Sequence, residues 1–546
     1  MQLIRSVLTK RYQFFNTILY GLILLFFSMC NAGELNFDDI KTPPYTPDVS
    51  IVIGQTTYTI QELISELEDP NLEISEDNTK LLSLAYRDTT FFNDISQIIT
   101  LDDITNSGVI EPNDTPIPGS PSDQDVIIPT QPLNFEYDSP NNEELDSLKY
   151  TAGTITLDIQ SGYTSAIEFE MTINDIVDLD TGQPLVFSST LPASGSQNVS
   201  QSLVNHKTVM VRVGNVNQFS GQFDGVIKVK TGDFIIGTEQ INYTLTITGA
   251  AFSEIYGWFG DKTVDIQDQT IEMNFFEGLS EFGLYFNQPE INFYIDNSFG
   301  VPMGMNLDGI SASNAAGTNV NLSGDITTSP QLVRAPSTSQ VDNSVSSLVT
   351  IDEENSNLRD LLAISPTLFS ISIDAEANFN NPTTSERNFV TENSEVEIVT
   401  EVNLPLDVRL TELTRDFGTD IAGFEFEDAD TINLILTSEN QLPFSGTVNM
   451  QFLAADSTVL FEFTDVLLLV SPEVPTSGKI EEPLRNSSVV KVYRGNGYQE
   501  LLDADIVNME MTVHSYKADE DNYVKVFSDY QVVLKIATQA DINHEL

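Results

Sequence analysis

A short alternating stretch decides the fold, Ile155-Thr156-Leu157-Asp158-Ile159, and it recurs twice along the chain. The other copies are Ile291-Asn292-Phe293-Tyr294-Ile295 and Ile432-Asn433-Leu434-Ile435-Leu436, and the three starts lie 136 and 141 residues apart. Apolar residues at every second position indicate a strand with one buried face and one solvated face. Repetition of such a strand at this spacing predicts several related β units in one chain.

Each copy leads through a polar corner into a second alternating strand and then into a hairpin turn. The second strands are 167–171, 303–307 and 448–452, and the turns are 180–182, 314–317 and 455–457. Pro302 and Pro443 each lie 11 residues after the start of their copy. We therefore predict that these two prolines occupy equivalent corners of an all-β protein built from tandem β-sandwich modules.

The region before the repeats predicts a small mixed segment. Thr59-Ile60-Gln61-Glu62 has the pattern of a capping box, with Ile60, Leu63, Ile64 and Leu67 on one helical face. Leu82, Leu84 and Tyr86 then alternate as a strand, and the stretch from Glu111 to Pro132 is rich in proline, serine and aspartate, which is typical of a linker or long loop. A short helix is predicted near 356–362, before Pro366.

These observations divide the chain into six predicted parts. They are a signal peptide at 1–29, a tether with a small α/β segment and Pro-rich linker at 30–133, sandwich modules at 134–270, 271–375 and 376–474, and a C-terminal β unit at 475–546. Strand patterns at 509–513 and 533–536 support the last part.

The N-terminus predicts export. Arg5, Lys10 and Arg11 precede an uncharged apolar run at 18–29, which is the layout of a secretory signal peptide and is too short for a transmembrane helix. The only cysteine, Cys30, directly follows that run, at the end of a lipobox-like Phe-Ser-Met-Cys. We therefore predict that Cys30 carries a lipid that attaches the protein to a membrane, the alternative being ordinary cleavage after Ala32.

The charge balance limits the partners. The chain has 81 acidic and 24 basic residues and a formal net charge of −57. A field of this sign repels nucleic acid phosphates and anionic lipid headgroups, whereas it favours basic proteins and divalent cations. The simplest reading of so many carboxylates is a solvated acidic surface.

No catalytic or cofactor site can be identified from the residues. A Ser or Cys nucleophile needs a nearby base, and the chain has only His206, His514 and His544, none at metal-ligand spacing to another ligand. No G-x-S-x-G elbow or P-loop spacing occurs, and a single tryptophan, Trp258, does not support an aromatic sugar platform. The sequence thus predicts a protein that is not an enzyme and has no cofactor.

Calcium is the one metal for which the sequence offers candidate ligands. Asp175, Asp178 and Asp180 cluster before Gly182, and oxygen-rich loops are what Ca²⁺ requires. The EF-hand order is absent, however, and the repeat alignment makes 180–182 an ordinary hairpin turn. The turn is therefore the preferred interpretation, and no metal is predicted.

Four further segments carry a resemblance. They are Ile255-Tyr256-Gly257-Trp258-Phe259-Gly260, Pro289-Glu290-Ile291, Asp296-Asn297-Ser298-Phe299-Gly300-Val301-Pro302 and Asn355-Ser356-Asn357-Leu358. Together they resemble uncharacterised large envelope lipoproteins of Bacteroidota, which implies an outer membrane lipoprotein facing the periplasm or the cell surface. The strand followed by the Asn297 to Pro302 corner is also similar to LEA type 2 (WHy) β-sandwiches, which implies contacts with lipids or partner proteins and no catalytic residues.

The sequence therefore predicts a non-enzymatic, lipid-anchored envelope protein that binds or scaffolds an envelope protein partner. Two alternatives remain open at this point. One is a lipid-binding protein with a sandwich groove, and the other is a hydrolase of an extracellular polymer with carboxylates converging in a cleft.

Overall fold

A computed structural model describes residues 49–60, 72–112, 115–137, 139, 143–276, 283–380, 386–420, 431–493 and 503–541. Strands make up 62% of the structure and helices 5%. The all-β class and the β-sandwich architecture predicted from the alternating patterns are therefore confirmed. Residues 1–48, with the predicted signal peptide and Cys30, lie outside the described residues, as does the predicted helix beyond Ile60.

The strands of the first half are, in chain order, β1 Val49–Thr59, β2 Leu72–Glu76, β3 Leu82–Phe92, β4 Ile104–Ile110, β5 Gln124–Tyr137, β6 Glu144–Ser161, β7 Ala166–Asp178, β8 Pro184–Leu191, β9 Ser196–Ser202, β10 His206–Val209, β11 Val211–Val213, β12 Val216–Val229, β13 Ile241–Trp258, β14 Lys262–Glu272, β15 Leu284–Phe286 and β16 Glu290–Asn297. Those of the second half are β17 Met303–Ser313, β18 Asn319–Asn321, β19 Gln331–Val333, β20 Val345–Ile351, β21 Leu368–Ala377, β22 Asn388–Thr391, β23 Val396–Pro405, β24 Asp407–Leu410, β25 Leu413–Asp420, β26 Thr431–Asn440, β27 Phe444–Leu453, β28 Val459–Leu469, β29 Leu484–Tyr493, β30 Ile506–Ser515, β31 Val524–Lys525 and β32 Gln531–Asp541.

The helices are short and lie between strands. They are α1 Ile95–Ile98 and α2 Leu358–Ala363, with 3₁₀ turns at Asn274–Phe276, Asp325–Thr327 and Ala518–Glu520. The position of α2 confirms the helix predicted near 356–362, where four of its six residues are buried.

One strand order occurs three times. Module 1 uses β4, β5, β6, β7, β8, β9, β12 and β13 as its first to eighth strands. Its first sheet has the order β4-β13-β6-β9 and its second the order β5-β12-β7-β8. In terms of strand position these are 1-8-3-6 and 2-7-4-5, which is the order of a jelly roll, an eight-stranded sandwich of two Greek keys. The short strand β10 joins the two sheets of this module.

Modules 2 and 3 have the same order. In module 2 the sheets are β3-β23-β16-β20, with β2 at its edge, and β14-β21-β17-β18, with β19 also paired to β17. In module 3 they are β1-β32-β26-β29 and β25-β30-β27-β28. The predicted repeat strands are thus the third strand, and their followers the fourth strand, of three related jelly rolls.

The N-terminal strands β1, β3 and β4 belong to the three modules in the reverse of the modules' order along the chain. β1 is the first strand of module 3, β3 of module 2 and β4 of module 1, whereas the other seven strands of each module follow in chain order. Module 3 therefore begins at Val49 and closes at the other end of the chain, where β1 pairs with β32. The three modules are nested in sequence: β1 and β3 lie far before the other seven strands of modules 3 and 2, whereas β4 lies directly before β5 in module 1.

Strand pairing corrects three of the sequence-based expectations. The predicted tether and small segment supplies a sheet strand to every module. The predicted linker from Glu111 to Pro132 is wrong in its second half, because β5 begins at Gln124 and pairs along β12. The predicted separate C-terminal unit is wrong as well, since β29, β30 and β32 complete the sheets of module 3. Pattern alone located the strands but carried no information on their distant partners.

A side chain at the end of the third strand fixes each corner. The Asn297 side chain is fully buried, accepts from the N–H of Phe299 at 2.9 Å, and donates to the carbonyls of Val301 at 3.1 Å and Arg334 at 3.0 Å. Asn440 makes the same three kinds of bond in module 3. In module 1 the hydroxyl of Ser161 accepts from the N–H two residues later at 3.0 Å. Local side-chain to backbone bonds of this kind end a strand and begin a turn.

The predicted equivalence of the corner prolines is only partly correct, because the two prolines share an element but not a position within it. Pro302 follows Asn297 by five residues, whereas Pro443 follows Asn440 by three. Both prolines lie in the corner between the third and fourth strands, but at different positions of that corner. The reason is that the third strand of module 3 extends two residues further before its asparagine.

Burial follows the alternation of the strands. In β12 every second residue is buried, and Phe219, Phe223 and Ile227 are all at most 1% exposed. Burying a side chain of this size contributes about 1.5–3 kcal/mol. One continuous apolar cluster runs through modules 1 and 2 and includes Tyr530 and Val532 of module 3, and a second cluster around Val448, Met450 and Phe452 lies within module 3.

Neighbouring modules are joined by strands and by ion pairs. β22, from the loop between the seventh and eighth strands of module 2, pairs with β13 of module 1. At the next junction β31, from the same loop of module 3, pairs with β24 directly after the eighth strand of module 2. Lys262 of module 2 contacts the fully buried Glu143 at 2.8 Å, which adds a buried charge pair between modules 1 and 2.

Candidate functional site

The three aspartates considered as calcium ligands have separate structural roles. Asp175 accepts from the N–H and the hydroxyl of a serine in β12, each at 2.6 Å. Asp178 accepts from the N–H of Thr181 at 2.8 Å and from its hydroxyl at 2.9 Å, and these bonds hold the pKa of Asp178 below its usual value. Asp180 accepts from an asparagine amide at 2.8 Å. The residues 180–182 form the turn between β7 and β8, as the repeat predicted.

Metal ligands do not cluster in the described part of the chain. Within those residues, no group of three or more His, Cys, Asp or Glu side chains is placed to hold a metal ion.

An exposed apolar surface lies on the first sheet of module 2. Tyr294 of β16 is directly opposite Leu348 of β20 and Val399 of β23, so the three side chains stand on one face. Tyr294 is 44% exposed and Leu348 58%. Phe91 of β3 is 52% exposed and lies on the same face. It is two residues beyond Thr89, which is the residue of β3 that pairs with Val399. We call these four residues the module 2 face.

Charged groups border the module 2 face. Glu401 has a side chain only 9% exposed, receives a hydrogen bond from Arg87 Nε at 2.6 Å, and lies 3.4 Å from the hydroxyl of Tyr294. The hydrogen bond to Glu401 raises the pKa of Arg87, while burial followed by the charge of Glu401 raises the pKa of Tyr294. Both groups therefore keep their protons at neutral pH, and the tyrosine hydroxyl is held at the edge of the apolar surface.

Equivalent positions of the other modules are polar. Counting three residues back from the corner residue gives one row of four paired positions across each first sheet. The rows are Ser107, Thr244, Asp158 and Asn198 in module 1, Thr89, Val399, Tyr294 and Leu348 in module 2, and Gln55, Lys535, Thr437 and Ser487 in module 3. Only the row of module 2 carries large apolar side chains.

A cleft of about 370 Å³ lies where modules 1 and 2 meet. We call it the junction cleft, and its lining is Asp146, Ser147, Lys149, Lys207, Glu254, Tyr256, Thr338 and Arg387. The first six belong to β6, β10 and β13 of module 1, and the last two lie in loops of module 2.

Several charges in the junction cleft are paired. Lys149 contacts Glu254 at 2.5 Å, and Arg387 contacts Asp146 at 2.8 Å. The hydroxyl of Tyr256 donates to Glu254 at 2.9 Å, and burial together with this bond raises the pKa of Tyr256 to about 12. The tyrosine is therefore a neutral hydrogen-bonding group across the physiological pH range.

A second cavity, of about 560 Å³, lies at one end of the second sheet of module 2. It is lined by Asp261, Lys262, Thr263, Glu376, Ala377, Asn378, Phe379 and Asn380. Asn378 donates to the carbonyl of Gly260 at 2.7 Å, and Lys262 is bound to Glu143 of module 1. These bonds connect loops and modules, which accounts for the polar lining.

Sequence reasoning missed both surfaces, although one signal was available. Tyr294 occupies an outward position of its repeat strand, where the first copy has Asp158. An aromatic residue at a solvated position of one copy marks a surface that differs between modules. The partners Phe91 and Leu348 come from strands far apart in the chain, so their proximity could not be anticipated.

Comparison with known proteins gives only distant structural alignments. No protein-family model matches this sequence, and no curated protein is similar to it. A protein of Parabacteroides distasonis, inferred to be secreted, aligns with 10% identity over 53% of this chain and 89% of its own, with a TM-score of 0.32.

Two further structures align more distantly. The infectious bursal disease virus VP2 particle aligns with 8% identity over 87% of this chain and 82% of its own, with a TM-score of 0.15. A family 11 carbohydrate-binding module of Clostridium thermocellum aligns with 13% identity over 30% of this chain and 96% of its own, with a TM-score of 0.12. TM-scores below 0.5 carry no information on ligand or activity.

Within the described residues, no helix is both long and apolar enough to cross a membrane.

Proposed function

We propose that this protein is a non-enzymatic, lipid-anchored component of a bacterial cell envelope that binds or scaffolds another envelope protein. The observation that carries the proposal is the module 2 face, which exposes Phe91, Tyr294 and Leu348, and whose row through Tyr294 and Leu348 is polar in modules 1 and 3. Large aromatic and aliphatic side chains exposed together are typical of protein interfaces.

The occupant is a protein with a basic rim around an apolar centre. Asp296 and Glu397 flank the module 2 face in the next row of the sheet, and the whole chain has a formal net charge of −57. Charges of this sign steer a basic partner toward the surface, while the apolar centre supplies the buried contact. A lipid on Cys30 would hold the face near the membrane and raise the effective concentration of both proteins.

Neither alternative function gains the same support. Both cavities described above are lined mostly by charged, hydroxyl and amide side chains, which does not suit an acyl chain. The two carboxylates of the junction cleft, Asp146 and Glu254, are each paired with a cation. This pairing suits binding better than the general acid and base roles of a hydrolase.

Cross-linking in intact cells followed by size analysis in mild detergent tests the proposal. We expect an adduct with one envelope protein, and its formation should slow as the salt concentration rises. Recovery of the monomer alone, at native expression and low salt, would contradict the partner.

The anchor is tested separately. Cys30→Ser should abolish fatty-acid labelling and release the protein from the membrane fraction, whereas Ser28→Ala should leave both unchanged. Labelling that persists in Cys30→Ser would show that the lipid is not on this residue.

A further inference from the structure

Basic residues are concentrated in the junction cleft. The whole chain has 24 Lys and Arg among 546 residues, yet three of the eight residues that line this cleft are Lys149, Lys207 and Arg387. A protein with a net charge of −57 draws cations toward itself and repels anions. A local concentration of positive charge therefore needs a reason specific to this place.

Two of these cations oppose each other in the sheet. Lys207 of β10 is the registered partner of Lys149 of β6, so their side chains leave the same face of neighbouring strands. Like charges directly opposite one another destabilise an antiparallel pair. Local conflicts of this kind are expected at functional sites, where another requirement outweighs stability.

Pairing inside the cleft leaves one cation uncompensated. Lys149 is neutralised by Glu254, and Arg387 by Asp146 and Glu144. Lys207, by contrast, makes no ion pair with any described residue. Lys207 lines a cleft that opens between two modules, where a ligand can reach it.

Hydroxyl groups of the cleft are available as well. The hydroxyls of Ser147 and Thr338 make no hydrogen bond with any described residue, although both residues line the cleft. Asp146 and Glu254 retain acceptor capacity beside their cation partners, because a carboxylate can accept about four hydrogen bonds. The free groups are therefore one ammonium, two hydroxyls and two carboxylate edges.

We propose that the junction cleft binds an acidic sugar, with the sugar carboxylate on Lys207 and the sugar hydroxyls on Ser147, Thr338 and the edges of Asp146 and Glu254. A ligand needs one anionic group for the unpaired ammonium and several hydroxyls for the mixed donors and acceptors around it. A volume of about 370 Å³ lies in the range of small-molecule sites.

The inference is independent of the proposed function. The cleft lies between modules 1 and 2, whereas the protein-binding face lies on the outer side of β3, β16, β20 and β23. Loss of either property would leave the other intact, and the two sets of variants can be compared directly.

Titration calorimetry with glucuronate, glucose and acetate, on the full-length protein in mild detergent, tests the site. We expect saturable binding of glucuronate that weakens as salt rises, and at least tenfold weaker binding of glucose and of acetate. Lys207→Met should lower the affinity for glucuronate at least tenfold, and Lys207→Arg should retain most of it. Lys230→Met removes a lysine elsewhere in module 1 and should change nothing.

Each contrary result would overturn the site. Absence of glucuronate binding contradicts it, as does equal binding of acetate, which would leave no role for the hydroxyls. Unchanged affinity in Lys207→Met, with a thermal unfolding profile like that of the parent, would remove the assigned ammonium. Should Lys207→Met unfold, Thr338→Val replaces it as the test, since Thr338 lies in a loop. Loss of glucuronate binding in Thr338→Val would support the site, and unchanged binding would contradict it.

Discussion

Modules 1 and 2 have the same eight-strand order but differ in one row of outward-facing side chains on the first sheet. In module 1 the third and fourth positions of the row are Asp158 and Asn198, whose side chains hydrogen-bond to each other. In module 2 the same positions hold Tyr294 and Leu348, both substantially exposed. Because the strand order is the same in both modules, this difference on the solvated face indicates a difference in use rather than in folding.

The corners between the third and fourth strands also differ between the two modules. Asn297 satisfies one N–H and two carbonyls in module 2, whereas the hydroxyl of Ser161 accepts a single bond in module 1. We therefore expect Asn297→Ala to lower the free energy of unfolding by about 3 kcal/mol, because it leaves buried backbone groups without partners. Ser161→Ala should cost only about 1 kcal/mol. Urea unfolding followed by fluorescence measures both.

A similar loss in the two variants would contradict this part of the comparison. It would mean that neighbouring groups take over the bonds of Asn297, and that the asparagine is not what closes the corner.

The second test places the residues of module 1 at two positions of the module 2 row. Tyr294→Asp with Leu348→Asn should weaken the complex with the envelope partner about thirtyfold, which corresponds to about 2 kcal/mol, since interface aromatics supply most of the binding energy. Thr437→Asp is the matched control, because it adds one carboxylate at the equivalent position of module 3. Quantitative co-purification after cross-linking measures the effect.

Equal weakening in the control would attribute the loss to net charge alone. The module 2 face would then have no special role in the complex.

Arg87 provides the third and smallest effect. Arg87→Met leaves the carboxylate of Glu401, whose side chain is 9% exposed, without its cation. We expect about 1 kcal/mol lower stability, a modest value because the Arg87 side chain is 51% exposed to solvent. Lys228→Met, which removes two ion pairs with exposed carboxylates on module 1, should leave the melting temperature unchanged. Melting curves of both variants that coincide with the parent curve would show that Glu401 is stabilised by other groups.

Local patterns predicted the strands but not the order in which they pair. Alternation located Ile155, Ile291 and Ile432 in equivalent strands, and the hairpin turn after Asp178 was also placed correctly. The predicted Pro-rich linker failed because β5 contains two prolines, Pro129 and Pro132, within a long strand of the sheet. Proline reads as a strand breaker, but β5 is an edge strand with a register shift, where proline is tolerated.

Nesting of the modules could not be predicted for a different reason. β1 and β32 lie at opposite ends of the chain, and nothing in the pattern of either strand specifies the other. The junction cleft is subject to the same limit, since Lys149, Lys207 and Arg387 meet only once two modules are packed together. Properties that depend on residues distant in sequence follow from the packing, and a single sequence carries little direct signal for them.

Site-specific photo-cross-linking in living cells tests the central claim most directly. A photoreactive amino acid is placed at Leu348 of module 2, and in separate strains at the equivalent Asn198 of module 1 and Ser487 of module 3. The account predicts a discrete adduct with one envelope protein from position 348 and none from positions 198 and 487. Adducts of equal yield from all three positions, or from positions 198 and 487 but not 348, would contradict the claim that module 2 carries the binding face.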